Sequence, residues 1–214
     1  MLDIAPSSPR YSDVDKQKQD GVTYTPTGFA VFVAEQMLDV ANLPKTGKIR
    51  ILDPSCGDGE LLEALLKSLP AASRKRAEVT AFDTDNEALL IAAERLRLNF
   101  PNVGLTFEKK DFIEYVLSLN GNELHPSFHL VIANPPYVRT QVMGAKQTQK
   151  IAKNFGLTGR IDLYYPFLIG ISQVLATNGV TGVITSNRFM TTKSGQSIRQ
   201  SILSNFNILH AWDL

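Results

Sequence analysis

The sequence predicts an α/β fold: a doubly wound, mostly parallel sheet flanked by helices. Three observations carry that expectation. Short apolar runs with strand character alternate with segments of helical period, an order that implies right-handed crossovers between parallel strands. The 214 residues suffice for one α/β domain with a continuous core and are short for two. Every unusual motif falls at the carboxyl end of a predicted strand, where such sheets hold their ligands.

Residues 1–22 are polar and aperiodic and are expected to form a mobile arm before a single domain over 23–214. Thr25 and Pro26 suit an N-cap and a first helical position, and Phe29, Phe32, Val33, Met37 and Leu38 form one helical stripe behind them. IRILD (49–53) reads as a strand and ELLEALLKSL (60–69) as its helix. VTAFD (79–83) is the next strand, followed by Asp85 as N-cap of a helix over 86–99. GLTFEKK (104–110) and FHLVIA (128–133) are strands separated by a helix over 112–119. The pattern then predicts a helix over 163–176, a strand over 180–186, a helix over 195–203 and a final strand over 208–214.

Composition excludes several classes. No apolar run approaches the roughly 20 residues of a membrane span, and the N-terminal residues lack a basic-then-apolar secretory pattern. Cys56 is the only cysteine, which fits a reducing cytoplasm and leaves no set of thiolates for zinc. His125 and His129 have no metal-ligand company and read as structural, so no metal is expected. With 22 basic and 21 acidic residues the chain is close to neutral, so any contact with a polyanion must be local.

LDPSCGDGELL (52–62) joins the first strand to its helix, and Gly57 and Gly59 allow a tight turn that approaches a ligand closely. A dinucleotide-binding turn would place a third glycine where Leu62 stands. Asp53 beside that turn is a poor neighbour for a pyrophosphate and a good one for the cationic methionyl end of S-adenosylmethionine. Asp83, ending the second strand, can accept the ribose hydroxyls of an adenosine. After the third strand, Asp111 offers a carboxylate to the adenine amino group and Phe112 an aromatic face to the ring. An aspartate at a strand end is often only a helix cap. Three in succession, in the order methionine, ribose and adenine, form a more specific pattern.

Asn134-Pro135-Pro136-Tyr137 follows the fourth strand. An exocyclic adenine nitrogen is a poor nucleophile because its lone pair is delocalised into the ring. The Asn134 side-chain oxygen and the Pro135 carbonyl can each accept one amino hydrogen and so aim the lone pair at a methyl group. The prolines stiffen the segment and remove donors, and Tyr137 offers a ring on which an extruded base can stack. Catalysis would then rest on alignment and fixed dipoles.

The chain resembles the γ-ordered adenine amino-methyltransferases of restriction–modification systems. YTPTGFA (24–30), LDPSCGDG (52–59), AFD (81–83), KDF (110–112) and ANPPY (133–137) match that family's motifs in sequence and order. GRIDLYYPFL (159–168) and GVTGVITSNRF (179–189) resemble its next two segments. The resemblance implies a Rossmann-like methyltransferase fold, S-adenosylmethionine as methyl donor and double-stranded DNA as partner, with room for a companion nuclease domain or subunit. It places Thr25, Asp53, Asp83, Asp111, Phe112 and Phe167 at the cofactor, and Asn134 to Tyr137 in catalysis. It also implies that Leu214 precedes the family's last strand and its target-recognition domain.

Two other readings stay open. The same tetrapeptide serves methylation of a protein glutamine or an RNA guanine, and a non-catalytic module could bind the cofactor or a partner protein. The segment 138–160 reads as a long loop made basic by Arg139, Lys146, Lys150, Lys153 and Arg160. Either it is a solvated surface or it touches DNA phosphates.

Overall fold

The computed structural model describes residues 25–119, 127–137, 145–158 and 161–213. The expected arm, His125, Arg139, Arg160 and the Lys146 side chain lie outside the described positions. Helix α1 (Thr27–Val40) leads into strand β1 (Ile49–Asp53) and helix α2 (Glu60–Ser68). A single turn, α3 (Ala71–Arg74), precedes β2 (Ala77–Asp83) and α4 (Asn86–Asn99). Then come β3 (Gly104–Lys109), α5 (Phe112–Ser118), β4 (Phe128–Ala133) and α6 (Ala145–Asn154). The described chain closes with α7 (Tyr164–Val174), β5 (Leu175–Val183), α8 (Arg188–Thr191), a 3-10 turn (Lys193–Gly195) and α9 (Gln196–Asn205).

The five strands form one sheet in the order β3-β2-β1-β4-β5, and every pairing is parallel. The alternating pleat divides the apolar residues into two cores. Ile49, Ile51, Val79, Ala81, Leu130 and Ile132 face α1, α2 and α4. Leu52, Phe82, Val131 and Ala133 face α5, α6, α7 and α9. Both faces of the central strands are therefore dry, as a parallel sheet between two helical layers requires.

Four local expectations are corrected. Thr25 does not cap α1: Pro26 occupies the N-cap position without a side-chain bond, and the Thr25 hydroxyl is engaged elsewhere. A helix, α6, occupies part of the segment read as a loop, with Ile151 and Phe155 buried on one side and Lys150 and Lys153 exposed on the other. Residues 208–213 form no strand; Trp212 instead sets its ring edge-on to Phe32 at 5.2 Å, and β5 borders the described sheet. β5 also starts earlier than expected. Its register jumps from Phe128↔Leu175 to Leu130↔Val180, a bulge that takes Asn178 to φ 62°.

The turn between β1 and α2 depends on Gly59, which has φ +83°. A Cβ there would lie 3.1 Å from the Cβ of Ala92 on α4. Gly59→Ala should therefore destabilise the protein by about 1–2 kcal/mol, the usual cost of a left-handed residue with a side chain. Urea unfolding should show the shift, and an unchanged midpoint would contradict this account of the turn.

Candidate active site

The strand order reverses between β1 and β4, so their carboxyl ends flank the crevice where a parallel sheet binds ligands. The two segments leaving those ends touch: the Ser55 hydroxyl donates to the backbone carbonyl of Asn134 at 3.3 Å. Asp53 is fully buried at the end of β1. Its Oδ1 accepts the Ser55 N–H at 3.0 Å, while Oδ2 has no hydrogen-bond partner. Burial pushes its carboxyl up to about 8, opposed by the Ser55 N–H and reinforced by the neighbouring Asp83 charge. A buried, half-satisfied carboxylate calls for a cation. The ammonium and sulfonium groups of a methionyl donor fit that demand, and a pyrophosphate does not.

Asp83 is more committed than expected. Oδ2 accepts the Gly57 N–H at 2.8 Å and Oδ1 the Asp85 N–H at 2.9 Å. Each carboxylate oxygen offers two lone pairs, so capacity for hydroxyl donors remains while the glycine turn is tied to β2. A Cβ at Gly57 would meet nothing within 4 Å, which leaves open space beside this turn. Asp85 caps α4 as the sequence predicts. Asp111 is itself a cap, its Oδ1 accepting from Ile113 at 2.7 Å and Glu114 at 3.2 Å, so only Oδ2 lies outside that role. Phe112 and Phe167 stack on each other with centroids 5.8 Å apart and are 1% and 6% exposed. The open aromatic face expected of Phe112 is covered by Phe167. Both rings lie in the core between the sheet and α5 and α7.

The tetrapeptide is tied to α1. Asn134 Nδ2 donates to Thr25 Oγ1 at 3.0 Å across 109 positions of sequence. That bond orients the amide and leaves Oδ1 as its acceptor end. Tyr137 donates its hydroxyl to Oδ1 at 2.6 Å, and burial pushes the phenol up to about 12, keeping it a donor. A carbonyl oxygen has two lone pairs and can accept from two donors. Tyr137 packs edge-on against Tyr164 at 6.2 Å.

Two contributors carried no local signal in the sequence. Ser55 joins the glycine turn to the tetrapeptide. Arg95 on α4 reaches Glu60 at 2.9 Å, Asp58 at 3.4 Å and Glu63 at 3.6 Å, binding the turn and the start of α2 to the neighbouring helix. The acidic run 58–63 demanded a cation, but nothing local identified Arg95 as its source. Burial pushes the Cys56 thiol up, in keeping with a small packed residue rather than a nucleophile. His129 Nδ1 accepts the Arg50 N–H at 3.0 Å, a structural role as expected. Among the described residues no group of three His, Cys, Asp or Glu side chains could hold a metal ion.

The Eco57I restriction-modification methylase family model matches residues 66–214. The chain belongs to this family. The Type II methyltransferase M.BanIII of Aneurinibacillus aneurinilyticus is 41% identical over 212 residues, covering 93% of this chain and 36% of that protein. The chain thus spans about a third of this curated relative's length. The type IIG restriction endonuclease BpuSI shares the fold with a TM-score of 0.67 at 23% identity, over 88% of this chain and 22% of BpuSI. A Listeria monocytogenes protein assigned to the class I S-adenosylmethionine-dependent methyltransferases shares it with a TM-score of 0.66 at 18% identity, over 88% of this chain and 55% of that one. The fold is the Rossmann-like methyltransferase fold, and the methyl donor whose cationic end would fit the Asp53 carboxylate is S-adenosylmethionine. No helix among the described residues is long and apolar enough to cross a membrane.

Asp53 makes a testable statement about that donor. Its folded-state value lies above the ordinary 3.8, so its protonation favours the folded protein. That contribution is complete below 3.8 and is lost as pH rises to about 8. A cationic ligand needs the carboxylate, so binding below about pH 8 should release a proton from Asp53. Calorimetry of S-adenosylmethionine binding in buffers of different ionisation enthalpy should detect that release, and Asp53→Asn should abolish it. Equal proton exchange in both proteins would contradict the pairing.

Proposed function

We propose that the chain carries the machinery for methyl transfer from S-adenosylmethionine to the exocyclic amino group of adenine in DNA, within a restriction–modification system. The observation that carries this reading is the pinned amide of Asn134 beside the half-satisfied carboxylate of Asp53. Asp53 would hold the cationic end of the donor, Asp83 the ribose hydroxyls and Asp111 the adenine edge, with Gly57 and Gly59 giving the backbone its close approach. Thr25 would act through Asn134, and Phe112 and Phe167 would line the adenine side.

The donor supplies an electrophilic methyl group on a sulfonium sulfur. Asn134 Oδ1 and the Pro135 carbonyl accept the two amino hydrogens and aim the nitrogen lone pair at that carbon. Transfer would form the C–N bond at the expense of the donor's C–S bond, and the extra amino proton would pass to solvent. Pro135 and Pro136 hold the acceptors in place, and Tyr137 stacks on the extruded base. As the base arrives, the Tyr137 hydroxyl shares Oδ1 with the incoming amino group or rotates away.

Asn134→Ala should leave cofactor affinity within a few-fold and lower transfer by roughly 100-fold or more, the scale of a lost positioned acceptor. The assay uses tritiated donor with DNA, RNA and protein in parallel, because the same acceptors could hold a glutamine amide or a guanine amino group. Nucleoside analysis of the labelled DNA should find N6-methyladenine. Label in N4-methylcytosine, or in RNA or protein alone, would overturn the substrate assignment, and near-normal turnover by the variant would overturn the mechanism.

A further inference from the structure

Charge is segregated along this nearly neutral chain. Residues 1–133 hold 14 basic and 19 acidic side chains, whereas residues 134–214 hold 8 basic side chains and only two acids, Asp162 and Asp213. The change of sign falls at the catalytic tetrapeptide. In the first part, three cations form ion pairs among the described residues: Arg95 with Asp58, Glu60 and Glu63, Lys67 with Glu63, and Lys48 with Glu78. In the second part, Lys150, Lys153 and Lys193 are exposed, and no carboxylate pairs with them among the described residues.

These lysines belong to the structure that leaves the carboxyl ends of β4 and β5. α6 follows the tetrapeptide and presents Lys150 and Lys153 on its exposed side. Its trailing residues reach α9, where the Thr158 N–H approaches Ser197 Oγ at 3.5 Å. Between them lies a cleft of about 520 Å³ lined by Thr158, Lys193, Ser194, Gln196, Ser197 and Gln200. Each of those six side chains can donate a hydrogen bond and none is a carboxylate. The segment is held in place from within: Arg199 donates to the carbonyls of Phe189 and Thr192. Phe189 in turn packs edge-on against Tyr164, the ring that meets Tyr137.

We infer that this face, formed by Lys150 and Lys153 on α6 and by the Lys193–Gln200 cleft, holds the sugar-phosphate backbone of duplex DNA beside the extruded base. The inference rests on the DNA reading above and assigns the surface through which that substrate is gripped. Lysine, serine, threonine and glutamine are the side chains that bind phosphates and sugars without reading sequence. Unpaired lysines are the ones free to release counterions. The acidic first part of the chain would repel the same polyanion, so the duplex is confined to one side of the crevice.

The test compares Lys150→Gln/Lys153→Gln/Lys193→Gln with a control, Lys45→Gln/Lys75→Gln, whose exposed lysines lie near the amino ends of β1 and β2. Affinity for a fluorescein-labelled DNA duplex of random sequence is measured against salt concentration, and S-adenosylmethionine affinity by calorimetry. The triple variant should bind DNA more weakly, with the log–log salt slope reduced by about 2–3, or about 0.9 for each phosphate that is no longer neutralised. Its cofactor affinity should match the wild type, and the control should keep the wild-type slope. A wild-type slope in the triple variant of a protein that methylates DNA would overturn this surface and leave the catalytic reading standing. An equal fall in slope in the control, or a slope lost with duplex RNA and kept with DNA, would also overturn it.

Discussion

Burying a carboxylate costs several kcal/mol unless it is neutralised or paired, and the end of β1 buries Asp53 completely with one oxygen unsatisfied. Much of the surrounding architecture keeps that carboxylate in place. Ser55 donates to its other oxygen, and the next residues turn sharply through Gly57 and Gly59. Asp83 accepts from Gly57, and Arg95 gathers the acids that follow. Arg95 on α4 offsets repulsion among the carboxylates of this turn. The same concentration of negative charge suits a cationic donor and rejects a dinucleotide, and it does so more directly than the absence of a third glycine does.

The amide of Asn134 is the second fixed point, and α1 exists in its present position partly to hold it. Thr25 sits just before α1, and that helix is seated on α2 and the sheet through Ala30, Ala34 and Met37. An asparagine after a strand can present either its oxygen or its nitrogen to the crevice. Thr25 Oγ1 can also donate, but as partner to Nδ2 it must accept, which turns Oδ1 toward Tyr137. Acceptor chemistry at the tetrapeptide therefore depends on a residue from the far end of the domain. The residue before α1 and the tetrapeptide are joined by this hydrogen bond, as Ser55 joins the glycine turn to the same segment.

Much of this was legible in the sequence because it is local. The alternating pattern located β1 to β4, and Asp85 was readable as a cap because capping chemistry spans three residues. Thr25 was misread for the same reason: threonine before proline looks like a cap, and only the tertiary fold shows its hydroxyl turned to Asn134. Asp111 also caps its helix, through Oδ1, and the sequence could not separate that local role from a ligand role for its other oxygen. Ser55 and Arg95 were invisible because their partners are 79 and 32–37 positions away. The strand expected over 208–214 failed because an apolar, β-prone run needs a neighbouring edge to become a strand, and here Trp212 packs on Phe32 instead. The bulge in β5 likewise comes from pairing with β4, which no local pattern encodes.

The order of charge along the chain and the order of strands across the sheet express the same division. β1, β2 and β3 lie on one side of the switch point and carry the acids that suit a cation; β4 and β5 lie on the other and lead into segments almost without acids. A methyl transfer of the kind proposed must bring a cationic donor and a polyanionic substrate within bonding distance of each other. A uniformly basic crevice would weaken the donor, and a uniformly acidic one would expel the substrate. Doubly winding the sheet solves this geometrically. The chain reverses direction across the sheet once, between β3 and β4, and the residues added after that reversal need only respect the second ligand. Net charge near zero is then a consequence of two opposed local fields, and it is a poor guide to what either side binds.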